Sequence, residues 1–161
     1  MQIKELVASL EQTDSFADFA KRHPEHYLVH IFSSASEQAS PPELGYYSKE
    51  TDQITVFHTN PVQELPPEPV FKETGVLKAL DLDTVQIGVE DAVEKAKAYT
   101  LEGYPNQIIT KTISILQQKD VPVWNMTVIT AAFSMINIRI DATNGKMLGR
   151  TMTSIMSLIR E

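Results

Sequence analysis

Apolar and polar residues alternate most strictly between Met135 and Ala142, where every even-numbered residue is apolar. Side chains of a strand point alternately to its two faces, so this pattern predicts a strand with one buried face. Ile136, Ile138 and Ile140 are predicted to be buried, with Asn137 and Arg139 more exposed. Asn144 and Gly145 then tolerate the positive φ of a tight turn, which predicts a hairpin.

The stretch Val123–Phe133 is rich in β-branched and aromatic residues and predicts the neighbouring strand. The return strand is predicted at Lys146–Gly149, and further strands at His26–Ser33 and Ile108–Leu116. A second hairpin is predicted around the polar turn Lys49–Asp52. Its strands are Leu44–Ser48 and Gln53–His58.

Helical spacing dominates near the N-terminus and in the middle of the chain. Apolar residues from Ile3 to Leu10 recur at i, i+3, i+4 and i+7, which predicts an amphipathic helix. Ser15 followed by Asp18 predicts a capping box for a second helix that ends near His23, because Pro24 follows. The clearest helix is predicted over Val89–Leu101, with Glu90 and Asp91 in its first turn.

Two weaker helical patterns complete the chain. A short helix is predicted over Val76–Leu80. A final amphipathic helix is predicted from Met152, Ile155, Met156 and Ile159. Neighbouring strands joined by short turns favour antiparallel pairing, so the predicted fold class is α+β: a curved antiparallel sheet of six or seven strands with helices packed on one face.

The 161 residues predict a single α+β domain over 1–161. Four prolines fall within 61–69, which predicts a linker or a surface strap between two halves at about 1–60 and 70–161. The hairpins Tyr47–Ile54 and Ile140–Met147 share a strand–polar turn–strand pattern. This similarity is open to two interpretations, a degenerate duplication of a helix-plus-sheet unit or chance.

The formal net charge is −7 and the 14 basic residues are scattered, which argues against a nucleic-acid partner. No stretch is apolar enough to span a bilayer, and the first residues lack the apolar run of a signal peptide. A cytoplasmic protein is therefore expected if residue 1 is the native start, and an exported one if a signal was removed.

The sequence offers no group of residues suited to catalysis. There is no cysteine, no G-x-S-x-G and no phosphate-binding or dinucleotide motif. His26 and His30 are predicted on one strand face, about 13 Å apart, which is too far for both to bind one ion. Asp81 and Asp83 are predicted to be solvated acids. We therefore expect no enzyme activity, no cofactor and no metal site.

Three residues are candidates for contact with a partner. Trp124 is the only tryptophan and could anchor an interface, although a core position is the stronger interpretation. Arg139 and Asp141 lie opposite the isoleucines, either as a solvent-side pair or as part of a peptide-binding face. Tyr46 is followed by Tyr47, so one of the two should point inward and the other outward.

The run Val89–Leu148 resembles a PepSY-type domain, a small module of thermolysin-type protease propeptides and other bacterial proteins. The similarity lies in Val89–Ala92 at the helix start, in the strand Val123–Val128 and in the hairpin Ile140–Leu148. The resemblance implies a helix packed on an antiparallel sheet and a role in binding or restraining a protease or other partner. It implies no catalytic residues.

Together these features predict a non-catalytic binding or regulatory module that recognises a protein or peptide. An open sheet edge can add a partner's strand through main-chain hydrogen bonds, and Lys146–Gly149 or His26–Ser33 is predicted to be that edge. The alternative is a small-molecule-binding or enzymatic domain with a pocket between the sheet and the helix Val89–Leu101. A homodimer is a third role that the sequence allows.

Overall fold

The computed structural model describes residues 2–38, 40–70 and 77–156. Within these ranges, nine strands form one antiparallel sheet, together with helices α1 (Ile3–Glu11), α2 (Asp14–Arg22) and α3 (Val89–Gly103). The strands are β1 (Tyr27–Ala35), β2 (Glu43–Ser48), β3 (Gln53–Thr59), β4 (Val62–Glu64), β5 (Glu68–Pro69), β6 (Ile109–Gln118), β7 (Pro122–Thr130), β8 (Ser134–Asp141) and β9 (Met147–Ser154). The α+β class is therefore confirmed, with more strands than the six or seven predicted.

The strand order is β4-β3-β2-β1-β6-β7-β8-β9, with β5 also paired to β3. Two meanders run outward from the centre, where β1 pairs with β6 and Ile31 lies opposite Leu116. The sheet does not close, because β9 ends it on one side and β4 and β5 end it on the other. It is therefore an open sheet whose two edges differ in length.

One face of the sheet contributes to a single large buried cluster. Ile136, Ile138 and Ile140 have no exposed surface, whereas Asn137 is partly exposed and Arg139 is exposed, which confirms the predicted register of β8. The cluster also contains residues of all three helices. Those helix residues are Ile3, Leu6, Val7 and Leu10 of α1, Phe16 and Phe19 of α2, and Ala92 and Ala96 of α3.

Helix α2 begins two residues earlier than its predicted cap requires. The backbone N–H of Phe16 donates to Thr13 Oγ1 at 3.2 Å, and Thr13 has the extended backbone of an N-cap residue. Ser15 therefore lies inside the first turn, and the predicted capping box from Ser15 to Asp18 is wrong. The N-cap must be the last non-helical residue, and the short link after α1 places Thr13 there.

The predicted C-terminal helix is wrong at Met152, because β9 continues to Ser154. Met152 pairs with Ile136 and Ser154 with Ser134, so main-chain bonds to β8 extend along the whole strand. Helical backbone is found at Ile155 and Met156, and Ile159 lies outside the described residues. The short helix predicted over Val76–Leu80 also begins outside them, and residues 77–80 are not helical.

The proline-rich segment 61–69 lies along the edge of the sheet. Val62 and Glu64 pair with Thr59 and Phe57 of β3, and Glu68 of β5 pairs with Ile54. The segment therefore continues the sheet in two very short strands instead of leaving it as a free linker. Among the described helices, none has the length and apolar character needed to cross a membrane.

Candidate functional site

Strand β9 forms one edge of the sheet. Its second half, residues 151–154, is called the outer half here. Residues 151–154 are all exposed, and Leu148 and Met152 have 51% and 47% of their surface accessible. This confirms the edge predicted at Lys146–Gly149 and extends it to Ser154. The other predicted edge, His26–Ser33, is wrong, because β1 lies in the centre and pairs with both β2 and β6.

The single charged residue of β9, Arg150, folds back towards α3. Its Nη1 donates to the carbonyl of Tyr99 at 2.9 Å and to Glu102 Oε1 at 3.4 Å. The guanidinium carbon also lies 6.0 Å from the centre of the Tyr104 ring. The charge is thus held at the helix, and the outer half of β9 presents neutral side chains.

The side chain of Arg139, on the neighbouring strand β8, extends over the edge strand β9. A Cβ atom at Gly149 would sit 2.2 Å from Arg139 Nη2, so the guanidinium occupies the space that glycine leaves over β9. The predicted pair with Asp141 is not formed, since Asp141 Oδ1 accepts hydrogen bonds from Thr143 at 2.8 and 2.6 Å. Among the described residues, Arg139 forms no ion pair. It is a cation available at the surface beside an open edge.

The sheet face that carries Arg139 is partly exposed through its centre. Phe32 of β1 lies directly opposite Ile115 of β6, and both are half-buried apolar residues. Beside them, Asn137 Nδ2 donates to Asn125 Oδ1 at 2.5 Å. An apolar strip at the middle of the sheet is therefore bordered by ordered amide side chains and then by Arg139.

Trp124, a predicted partner-binding residue, lies inside the buried cluster with no exposed surface. Its Nε1 donates to the carbonyl of Ile87 at 2.7 Å, just before α3 begins. This is the core position that the sequence also suggested. The indole joins the sheet to the segment that leads into α3.

Tyr46, a second predicted partner-binding residue, is 1% exposed. Its hydroxyl donates to Glu11 Oε2 at 2.9 Å, and its ring lies 4.8 Å from that of Phe16. Burial, together with the nearby Glu11 carboxylate, raises the pKa of Tyr46 above its ordinary value. Tyr47 faces the opposite side of the sheet, but it is also buried, at 4% exposure, so neither tyrosine is free at the surface.

His26 and His30 lie on opposite faces of the sheet, so the prediction that they share one face is wrong. The ring of His26 contacts Phe16 and Tyr46, whereas His30 lies over Gly45 on the other side. The cause is a β-bulge between Leu28 and His30, which shifts the alternation by one residue. Across the described ranges, no three His, Asp or Glu side chains come close enough to hold a metal ion.

Burial lowers the pKa of His30, because desolvation disfavours the imidazolium. An unfolded histidine titrates near about 6.5, so the stabilising effect of a neutral His30 is present above that pH and is lost as the pH falls. We expect the melting temperature of the His30→Gln variant to fall less between about pH 7.5 and pH 5 than that of the native protein. Thermal melts across this range measure the difference.

The matched control is His58→Gln, which removes a histidine whose side chain is 41% exposed. It shows what exchanging a histidine for a glutamine does at a more exposed position. If His30→Gln and the native protein lost stability in parallel on acidification, the buried imidazole would not be the titrating group.

The residues of the edge that sequence patterns missed include Thr151, Met152 and Thr153; Met152 and Thr153 fall in the predicted final helix, and Thr151 falls in no predicted element. Two β-branched threonines flanking Met152 are the signal that favours a strand. That signal is weak alone, because Met152, Ile155 and Met156 fit helical spacing equally well.

Comparison with known proteins gives a similarity of fold. No protein-family model matches the chain, and no relative is found among curated proteins. Among solved structures, the chain is similar to a protein of Clostridium difficile 630 described as a "putative lipoprotein". The two are 16% identical with a TM-score of 0.54, over 89% of this chain and 97% of the other. At that identity the similarity concerns the fold alone.

Proposed function

We propose that this chain is a non-catalytic binding module that recognises a polypeptide partner by adding a strand of that partner to β9. The observation that carries the proposal is the edge position of Met147–Thr153 in β9, where Leu148 and residues 151–153 are exposed. Unpaired N–H and C=O groups along such an edge bind an extended chain without requiring special side chains. This also accounts for a sequence in which no catalytic pattern is found.

The contrast between the two edges supports this proposal. At the opposite edge, β4 has three residues and β5 has two, and prolines occupy positions 61, 66, 67 and 69. Short strands and prolines are devices by which proteins protect an edge from pairing with other chains. Strand β9 contains no proline, and its only charge is turned to α3. One edge is protected and the other is left available.

Arg139 supplies a basis for selecting among partners. Its guanidinium lies over Gly149 of the edge strand and pairs with no carboxylate among the described residues. An aspartate or glutamate on the incoming strand would accept a charge-assisted hydrogen bond from this guanidinium. The partner that fits is an extended segment. It carries an acidic side chain that reaches Arg139 and apolar side chains that contact Leu148 and Met152.

The architecture is consistent with the PepSY-type resemblance and with a degenerate duplication in a single domain. Each half supplies helical structure followed by a meander, and the strands β1 and β6 that begin the two meanders meet at the centre. The helices share one buried cluster with one sheet face, which supports their packing on that face. We infer that the unit was duplicated and that the sheet joins both copies.

An exported location is the second part of this proposal. The structural neighbour is described as a lipoprotein, a class of protein that is anchored outside the cytoplasm, and this favours the exported alternative over the cytoplasmic one. Fractionation of the source cells with an antibody to this chain tests the location directly.

The edge is tested by placing a photo-crosslinking amino acid at Thr151 on β9 and, in a separate variant, at Gln63 on β4. Both positions are exposed and lie on edge strands. We expect a discrete adduct from Thr151 and none from Gln63 after irradiation of the source cells. The crosslinked segment, made as a peptide, should bind the protein and slow amide hydrogen exchange along β9.

The matched variant carries Thr151→Lys and Thr153→Lys, since lysines are used by natural sheets to protect edges. Its affinity for the peptide should fall by about tenfold or more, while the far-UV spectrum stays unchanged. Equal adducts from both edges, or peptide binding that the two lysines do not weaken, would show that β9 is not the recognition site.

A further inference from the structure

We propose a second, independent site: a groove between α1 and the start of α3 that binds a small uncharged ligand with an apolar body and a hydroxyl or carbonyl oxygen. The groove has a volume of about 490 Å³, within the range of small-molecule pockets. It lies on the helix side of the sheet, between α1, the ends of β1 and β3, and Val89 of α3. It is therefore separate from the β9 edge.

The groove is lined mainly by apolar side chains. Ile3, Leu6 and Leu10 of α1 form one wall, and Pro42 and Val62 contribute to the other. Such a surface gains free energy by releasing water to a ligand's hydrocarbon part. The ligand must therefore be largely apolar.

The hydroxyl of Ser33 provides one polar contact within this lining. Ser33 is 4% exposed and lines the groove, and among the described residues its side chain has no hydrogen-bond partner. A hydroxyl without such a partner can donate a hydrogen bond to a ligand in the groove or accept one from it. Of the other three hydroxyls that line the groove, Thr59 donates to the carbonyl of Pro42, Ser40 is bonded to Ser34, and Ser9 is exposed. Ser33 is thus the group that would orient a ligand.

The charge of the lining selects against anions. Among the described residues that form the groove, none is Lys, Arg or His, and the charged member is Glu90 in the first turn of α3. A fatty-acid carboxylate would find no cationic partner among these described residues. An alcohol, ester or amide avoids that cost and can still pair with Ser33.

The test uses the neutral fluorescent reporter N-phenyl-1-naphthylamine, with 1-decanol and sodium decanoate as competitors. We expect the reporter to bind with a one-to-one stoichiometry and 1-decanol to displace it at least about tenfold more effectively than decanoate does. Val62→Trp fills the groove from a residue that is 37% exposed, so the fold should tolerate it and reporter binding should be lost.

Ser33→Ala should weaken 1-decanol binding by about threefold to tenfold, the usual effect of one hydrogen bond. The control is Ser114→Ala: Ser114 lies directly opposite Ser33, is 1% exposed and does not line the groove. Equal effects of the two serine variants, undiminished binding in Val62→Trp, or decanoate competing as well as 1-decanol would each overturn the proposal. A far-UV spectrum of each variant separates loss of binding from loss of fold.

Discussion

Replacing Ile138 by alanine is expected to lower the free energy of unfolding by about 2–5 kcal/mol. Ile138 has no exposed surface and lies in the middle of β8, between Met126 of β7 and Arg150 of β9. Alanine there removes buried methyl and methylene groups and leaves a cavity that a rigid sheet cannot close. Equilibrium unfolding in urea, followed by far-UV circular dichroism, measures the loss.

Ile108→Ala makes the same chemical change at a residue that is 70% exposed. Its free energy of unfolding should differ from that of the native protein by less than about 0.5 kcal/mol. A loss of that small size at Ile138 as well would show that the register of β8 is misassigned, because the isoleucine side of the strand would then face solvent.

Replacing Trp124 by alanine is expected to cost about 3–5 kcal/mol. The indole is fully buried and its Nε1 donates to the carbonyl of Ile87 at 2.7 Å, so the substitution removes both packing and a hydrogen bond. Because Trp124 is the only tryptophan, unfolding is followed by circular dichroism and not by intrinsic fluorescence.

Trp124→Phe separates the two contributions. It retains most of the apolar contact and removes the donor, so we expect it to cost about 1–3 kcal/mol, the penalty for an unsatisfied buried carbonyl. If both Trp124 variants had the same urea midpoint of unfolding as the native protein, the indole would not join the sheet to α3. A partner-binding role at the surface would then regain support.

Local patterns predicted the hairpins and the helices α1, α2 and α3 well, because their signals lie within a few residues, but they wrongly predicted a helix from Met152. The alternation around Ile138 and the turn at Gly145, which has a φ of +82°, are examples. The bulge between Leu28 and His30 was not predictable in this way. It depends on how β1 aligns with β2, and a single inserted residue reverses which side chains face the core.

The candidate site was harder to predict than the fold for a related reason. A sequence shows that Trp124, Tyr46 and Arg139 are large or charged, but not which of them the tertiary structure encloses. Trp124 is buried and bonded to the segment before α3, and Tyr46 is buried and bonded to α1, whereas Arg139 is exposed. Whether β9 is an edge depends on the order of all the strands, which no local pattern specifies.

The strand order also has a consequence for how the chain folds. Within each meander, the strand pairs join neighbours along the chain, apart from the short pair of β3 with β5, so their contacts form after the closure of short loops. The pairing of β1 with β6 is different, because everything from β2 to the end of α3 lies between them. Closing that long loop costs conformational entropy, and this cost arises before the contacts between β1 and β6 can offset it. The kinetic barrier of this fold is therefore concentrated in the central strand pair, and substitutions at Ile31 or Leu116 should slow folding more than equally destabilising ones in an outer hairpin.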